Sequence, residues 1–406
     1  MNFSSLATDG GIFCDGDWIE KKDQDPNGAV RLIQLADIGV CVFKDKSDRY
    51  ITEDKGLELN CTFLQKGDIL IARLPEPLGR ACIFPLEGKF ITAVDIAIVR
   101  ILRKDVDPRY IMYMINSPQF RNEIRKYESG TTRKRISRKN LDRIEFRIPS
   151  LSEQEHIVGR IEERLSQLDS SVKTLKKTRQ QLAVYRQAVL KEAFNLAQRD
   201  CTLLPIEAIL TKDRKGMSTG PFGTMIKKSD HKLSGVPMLG IENIGKGEFV
   251  DGNKIFVSKE KAQELQSFAL KTGDIIISRS GTVGEICAIP ERAEGALMST
   301  NLMRVSLDNS VIRSDYFIAL FQSKGIVLDQ IKELCKGSTR DFLNQTILKQ
   351  IVFPVPSLAQ QAEIIEVVNT RISVCDSIEK TVDAALLQAE AMRRSILKQA
   401  FEGRMR

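Results

Sequence analysis

The sequence predicts an α+β protein built as a tandem duplication, in which two mixed helix-and-strand units are each followed by a long helix and the two helices pair. Three observations predict it. Short motifs recur in the same order at an offset of 206 or 207 positions; each half opens on short β-rich runs punctuated by Gly and Pro; and each half closes on a long Pro-free stretch with apolar residues alternating three and four apart. The length, 406 residues, agrees with two or three domains, and 42% hydrophobic residues suffice for real cores.

The repeat is legible motif by motif. Ala36-Asp37-Ile38-Gly39 answers to Glu242-Asn243-Ile244-Gly245, and Gly67-Asp68-Ile69-Leu70 to Gly273-Asp274-Ile275-Ile276. Gly130-Thr131-Thr132-Arg133 matches Gly337-Ser338-Thr339-Arg340, and Pro149-Ser150-Leu151 matches Pro356-Ser357-Leu358. Leu190-Lys191 and Ala193-Phe194 return as Leu397-Lys398 and Ala400-Phe401. One coincidence is unremarkable, but six in order at a nearly constant offset are not.

Within each half, Leu32–Leu35, Asp68–Ala72 and Asp95–Val99, with Met238–Ile241 and Asp274–Ser278, read as strands. Helical stretches are expected over Asp107–Tyr127 and Arg313–Cys335. The domains are then 1–149 and 199–356, and the long helices 150–198 and 357–406. Pro-Ser followed by Glu153 or Gln360 is a sound helix start. The first seam runs Ile161, Leu165, Leu168, Val172, Leu175, Leu182 and Val189, with Arg179 and Arg186 interrupting it. The second runs Val368, Ile372, Cys375, Val382, Leu386, Ala389 and Ile396, interrupted by Glu379 and Arg393. A period of 3.5 held over several heptads is a coiled-coil signal, and about 40 residues of helix make a rod of roughly 60 Å. Two seams of equal length in one chain favour mutual pairing over two helices each lying on its own domain.

Composition excludes more than it assigns. No apolar run approaches a membrane helix, and the start lacks a secretion signal, so a soluble cytoplasmic protein is expected. Eight isolated cysteines and only His156 and His231 form no zinc spacing; buried, reduced thiols are expected and no metal. Gly240 to Lys246 fits G-x-x-x-x-G-K but has Gly247 where a P-loop needs a hydroxyl, so it reads as a strand end and turn. Asp107-Pro108-Arg109-Tyr110 lacks the second Pro of a methyltransferase tetrapeptide and reads as a helix cap. No nucleophile elbow or dinucleotide fingerprint is present, so the chain is expected to be non-catalytic.

Charge placement points elsewhere. The formal net charge is +8. Arg121, Arg125, Lys126, Arg133, Lys134, Arg135, Arg138, Lys139 and Arg143 crowd one stretch, relieved by Glu123, Glu128 and Asp142. Within it, Gly130, Thr131, Thr132 and Arg133 offer hydroxyls and a guanidinium suited to phosphate oxygens or a guanine edge. Ser338, Thr339 and Arg340 repeat the offer in less basic surroundings. Gly16-Asp17-Trp18-Ile19 and Gly220-Pro221-Phe222-Gly223 are candidate loops with an exposed aromatic, although a buried ring in a turn explains them equally well.

Together these motifs resemble the specificity subunits of type I restriction-modification enzymes, across the whole chain. The carrying residues are Gly-Asp-Ile-(Leu/Ile), Gly-(Thr/Ser)-Thr-Arg, and Pro-Ser-Leu opening a helix that closes on Leu-Lys-(Glu/Gln)-Ala-Phe. The resemblance implies two pseudo-symmetric target-recognition domains, each reading half of a bipartite double-stranded DNA site, held apart by an antiparallel coiled coil. It also implies two modification subunits that methylate adenine with S-adenosylmethionine, and restriction subunits using ATP and Mg²⁺, with no cofactor on this chain. Asp341 after Arg340 departs from the basic first copy and implies unequal halves. A protein-only scaffold, or a nuclease or methyltransferase with an unrecognised site, stays open at this point.

Overall fold

The computed structural model describes the chain apart from residues 198–200, 223–224, 246, 282, 324–325, 336–341 and 405–406. The chain divides into two compact units, Met1–Lys176 with Asp383–Arg406, and Lys177–Val382. The division runs through both long helices and not at their junctions with the globular parts, because each half-helix packs on the domain beside it.

Unit 1 holds β1 (Ile12–Asp15), β2 (Val30–Ile33), β3 (Arg49–Ile51), β4 (Ile69–Ala72), β5 (Ala81–Ile83), β6 (Phe90–Thr92) and β7 (Ile96–Arg100). Its helices are α1 (Phe3–Leu6), α2 (Glu53–Glu58), α3 (Pro108–Asn116), α4 (Pro118–Lys126) and α5 (Arg138–Asp142). An antiparallel sheet of order β1-β7-β4-β5 adjoins a smaller sheet β3-β2-β6, in which β2 and β6 are parallel. The β4 and β7 runs are apolar on both faces because both are covered: Ile69, Ile71, Ala97 and Val99 join the helical core, while Leu70, Ile96 and Ile98 join a second cluster with Phe84.

Unit 2 repeats this plan. It contains β8 (Thr202–Pro205), β9 (Met217–Thr219), β10 (Val236–Leu239), β11 (Ile255–Val257), β12 (Ile275–Ser278), β13 (Ile286–Ala288), β14 (Leu297–Met298), β15 (Leu302–Val305) and β16 (Val352–Val355). The four-stranded sheet is β13-β12-β15-β9 and the three-stranded one β11-β10-β14, with β8 and β16 paired separately. Register makes the repeat exact at the residue level: Ile69 opposes Val99 as Ile275 opposes Val305.

The recurring motifs are explained by buried polar anchors. Asp68 and Asp274, at 1% and 2% exposure, each accept the N–H three residues earlier, from Gln65 and Lys271 at 2.8 Å. Arg100 grips Asp68 with two bonds of 2.8 Å; Asp274 is held instead by Arg214 and Ser306. Asp37 and Asn243, both fully buried, do the same for the N–H of Gln34 and Gly240. A buried acceptor without donors is costly, so these positions tolerate little change.

Two expectations need correction. The helical stretch from Asp107 is two helices: Ser117 ends α3, its hydroxyl accepts from Phe120 N at 3.3 Å, and Pro118 starts α4. Unit 2 breaks likewise between α8 (Ser314–Gln322) and α9 (Val327–Cys335). The thiols are less uniformly buried than expected: Cys82, Cys287 and Cys375 are buried, but Cys14, Cys41, Cys61 and Cys201 are half-buried. Asp107 does cap α3, accepting from Arg109 N at 2.8 Å. Lys246, the last residue of the P-loop-like run, lies outside the described residues.

The long helices are α6 (Leu151–Ala197), which follows α5, and α11 (Leu358–Phe401), which follows α7 (Lys259–Glu264), α8, α9 and α10 (Gln345–Lys349). Ser357 and Gln360 form a reciprocal cap at the start of α11, with Ser357 N donating to Gln360 Oε1 at 3.1 Å. Within unit 1, Arg164 meets Gln399 and Asp169 meets Arg393. Within unit 2, Arg186 meets Asp376 and Glu379, and Glu192 meets Arg371 at 2.6 Å. As one number rises the other falls, so the helices pair antiparallel in each unit. No helix among the described residues is long and apolar enough to cross a membrane.

Candidate nucleic-acid interface

The basic loop of unit 1 is a closed turn. Ser129 and Arg135 exchange backbone hydrogen bonds of 2.9 and 2.8 Å, pinching the chain between them. Gly130 sits at a φ of +95°, and a Cβ there would lie 2.4 Å from Arg133 O, so only glycine closes this turn. The consequence is that Thr131, Thr132, Arg133, Lys134 and Arg135 all face solvent.

The neighbouring charges sort into anchored and available groups. Lys134 pairs with Glu128, and Lys126 with Glu123 at 2.7 Å. Arg138 lies over the Phe13 ring and reaches Asp15 at 3.4 Å, so it arrives at any partner already oriented. Arg121 is structural: it donates to Leu78 O and to Asn116 Oδ1 at 2.8 Å, and burial pushes it down to about 10. Arg133, Arg135 and Lys139 are exposed and make no ion pair among the described residues. The available positive surface is therefore smaller than the sequence count, and it centres on the Gly130 turn. The matching loop of unit 2, with Ser338, Thr339 and Arg340, lies outside the described residues.

The two aromatic candidates turn out to occupy one structural position. Gly16 N donates to Ile96 O at 2.7 Å, and Gly220 N donates to the equivalent Leu302 O at 3.0 Å. A Cβ on Gly16 would lie 2.2 Å from Ala93 O, and one on Gly220 would lie 1.9 Å from Ser299 O. Both glycines let the chain cross tightly over a strand end, and the residue two further on emerges into solvent: Trp18 at 70% exposure and Phe222 at 60%. An isolated exposed ring is ordinary, but here a large one emerges at the same turn in both repeats.

The apolar seam joins the helices to the domains. Ile161, Leu165 and Leu168 are buried in one cluster with Ala389 and Ile396, and Val172 packs against it. In unit 2, Leu182, Val189, Val368, Cys375 and Val382 are buried, and Ile372 packs against the core. Leu175 and Leu386 are half-buried.

Sequence reasoning missed the residues that lock each helix to its domain. Gln154 and Gln361 are both fully buried. Gln154 accepts from Asp107 N at 2.9 Å and donates to Asp105 O and Pro149 O at 2.9 and 3.0 Å. Gln361 accepts from Arg313 N at 2.8 Å and donates to Val311 O and Pro356 O at 3.0 and 2.9 Å. Their shared offset of 207 was the available signal. Arg73 and Arg279, 206 positions apart, form another repeated pair, donating within each domain to the carbonyls of Val94 and Thr300.

The arrangement is thus a doubled α+β domain with paired antiparallel helices and an exposed aromatic turn in each unit. The profile of the type I restriction modification DNA specificity domain matches residues 15–183 and again 221–388, and the chain belongs to that family. Among curated relatives, it is 27% identical over 314 residues to the type I restriction enzyme StySPI specificity subunit of Salmonella potsdam, covering 74% of this chain and 66% of that protein. It is likewise 27% identical over 314 residues to the EcoKI specificity subunit of Escherichia coli K12, covering 73% and 65%. The chain thus spans slightly less than two thirds of those relatives. A solved structure described as concerning complex assembly and conformational transition of the type I R-M system superposes with a TM-score of 0.70 at 14% identity, over 97% of this chain and 98% of that one, which establishes the shared fold.

Proposed function

We propose that this chain is the non-catalytic DNA-recognition subunit of a type I restriction-modification complex, reading a bipartite double-stranded site with one domain per half-site. The observation that carries the reading is the duplication itself: the family profile matches twice, and the same aromatic turn is presented by each unit. Two similar domains with different surface residues suit two different half-sites.

Arg133, Arg135, Arg138 and Lys139 neutralise phosphates, joined by Lys134 when it exchanges Glu128 for a phosphate, with the Thr131 and Thr132 hydroxyls beside them. Each phosphate neutralised adds about 0.9 to the log–log salt slope. Ser338, Thr339 and Arg340 take that role in the second unit, and Trp18 and Phe222 pack on the duplex at the glycine turns. Base edges are read in the grooves once the backbone contacts have fixed register. The paired helices set the half-site spacing, as dimer geometry does for repressors.

The chain works in the cytoplasm with two modification subunits and with restriction subunits, and carries no cofactor itself. S-adenosylmethionine, ATP and Mg²⁺ belong to those partners. Mapping methylated adenines in the host genome tests this. A split motif that disappears on deletion of this chain is expected; persistence of the pattern, or methylation and cleavage by the purified chain alone, contradicts it. Arg133→Ala refines the assignment: a phosphate contact weakens all duplexes alike, whereas a base contact relaxes one position.

A further inference from the structure

Unit 2 contains a cavity of about 600 Å³ lined by Arg214, Lys215, Ser218, Phe222, Lys271 and Arg304, among others, with no acidic side chain among its described lining residues. Two buried groups in its wall are unsatisfied. Arg304, at 5% exposure, spends its terminal nitrogens on Ala269 O and Lys215 O at 3.2 and 3.0 Å, and its Nε has no partner among the described residues. Ser218, at 7% exposure, leaves its hydroxyl unpartnered. The two face each other across the β9–β15 pairing. Lys215 and Lys271 are exposed at the rim, and Arg214 is tied to Asp274 behind it.

Unit 1 shows what the place looks like without this function. The strand pair matching Ser218 and Arg304 is Cys14 and Ile98, and Ile98 is fully buried in an apolar cluster. The Asp17 carboxylate there accepts from Thr62 N at 3.1 Å. Unit 2 has Pro221 in place of Asp17, while Phe268, the counterpart of Thr62, lines the cavity. Unit 1 thus carries an internal anion where unit 2 presents unpaired donors. Unit 1 also holds unpartnered buried groups, among them Arg73 Nε and the Thr92 hydroxyl, but those of unit 2 belong to residues that line this cation-rimmed cavity, where a ligand can satisfy them.

We infer that this cavity takes a phosphate group, and that its source is the backbone of a duplex lying against the Phe222 turn. The second half rests on the DNA-reading function; the first does not. The lining suits a tetrahedral oxyanion: Arg214, Arg304 and Ser218 line it, Lys215 and Lys271 stand exposed at its rim, and no acidic side chain is among its described lining residues. The contact belongs to one unit only and gives the second half-site a phosphate anchor that the first lacks.

The test uses the full chain and two variants. Lys215→Ala with Lys271→Ala removes the rim; Ser218→Cys with Arg304→Ile imports the pair that unit 1 already packs. Thermal unfolding in inorganic phosphate, against chloride of equal ionic strength, reads the anion site, and duplex affinity across a salt series reads its source. Phosphate is expected to raise the midpoint of the wild type but of neither variant, and each variant is expected to lose about one phosphate's worth, ~0.9, of salt slope. A folded lysine variant that keeps both the phosphate gain and the slope overturns the site. Loss of the phosphate gain with an unchanged slope overturns the backbone source. A wild type that shows the phosphate gain yet binds no duplex supports the site and removes the DNA-reading function.

Discussion

Single side chains decide how tightly each long helix is held. Gln154 and Gln361 each satisfy three backbone groups from a fully buried position. Replacing either with Leu keeps the volume but strands those groups, at about 2–4 kcal/mol. Hydrogen exchange read segment by segment should show Gln154→Leu loosening α3 and Gln361→Leu loosening α8, each with the other unit unchanged. Asp17 supplies a pH-dependent counterpart. Burial pushes its carboxyl from 3.8 up to about 6, against the lowering effect of the Thr62 N–H. Between those values the folded chain binds a proton that the unfolded chain has released, so unit 1 gains stability below pH 4 and loses it as pH rises towards 6. Urea midpoints between pH 4 and 7 should fall across that window, and Asp17→Asn should flatten the fall.

At the level of strands and helices, periodicity and repetition carried most of the information. The β4 and β12 runs and both helix starts were legible because burial on two faces and capping leave local signatures. The break at Ser117-Pro118 has an equally local signal, but the apolar spacing that continues across it masks it. The interface was less legible. Whether Arg121 points inward to Leu78 O, or Arg138 lies on Phe13, depends on residues distant in sequence, so counting charges overstated the available surface. Arg304 gave no signal, since within Leu302-Met303-Arg304-Val305 it reads as one polar residue in a strand. The polar breaks in the seam lead to a further expectation. Arg186 is 19% exposed and bridges Asp376 and Glu379. Arg186→Ala should cost about 1–3 kcal/mol by removing the bridge to Asp376 and Glu379, while Arg186→Leu with Glu379→Leu should recover much of the lost stability in thermal unfolding.

The two units share a plan and differ in what they present. Unit 1 offers a dense basic turn around Gly130, and unit 2 a cavity with unsatisfied donors beside Phe222. Under the proposed function that asymmetry suits two unlike half-sites, and the antiparallel helices α6 and α11 are the proposed ruler between them. Inserting one heptad at matched positions in both helices keeps the apolar seam in phase and lengthens each by about 10 Å. At 3.4 Å per base pair, that corresponds to roughly three more pairs between the half-sites. Selection of bound duplexes from a library with randomised spacers, carried out on the original and the lengthened chain, measures this. The half-site sequences should stay the same while the preferred spacer grows by about three pairs; an unchanged spacer in a folded, DNA-binding variant would contradict the ruler.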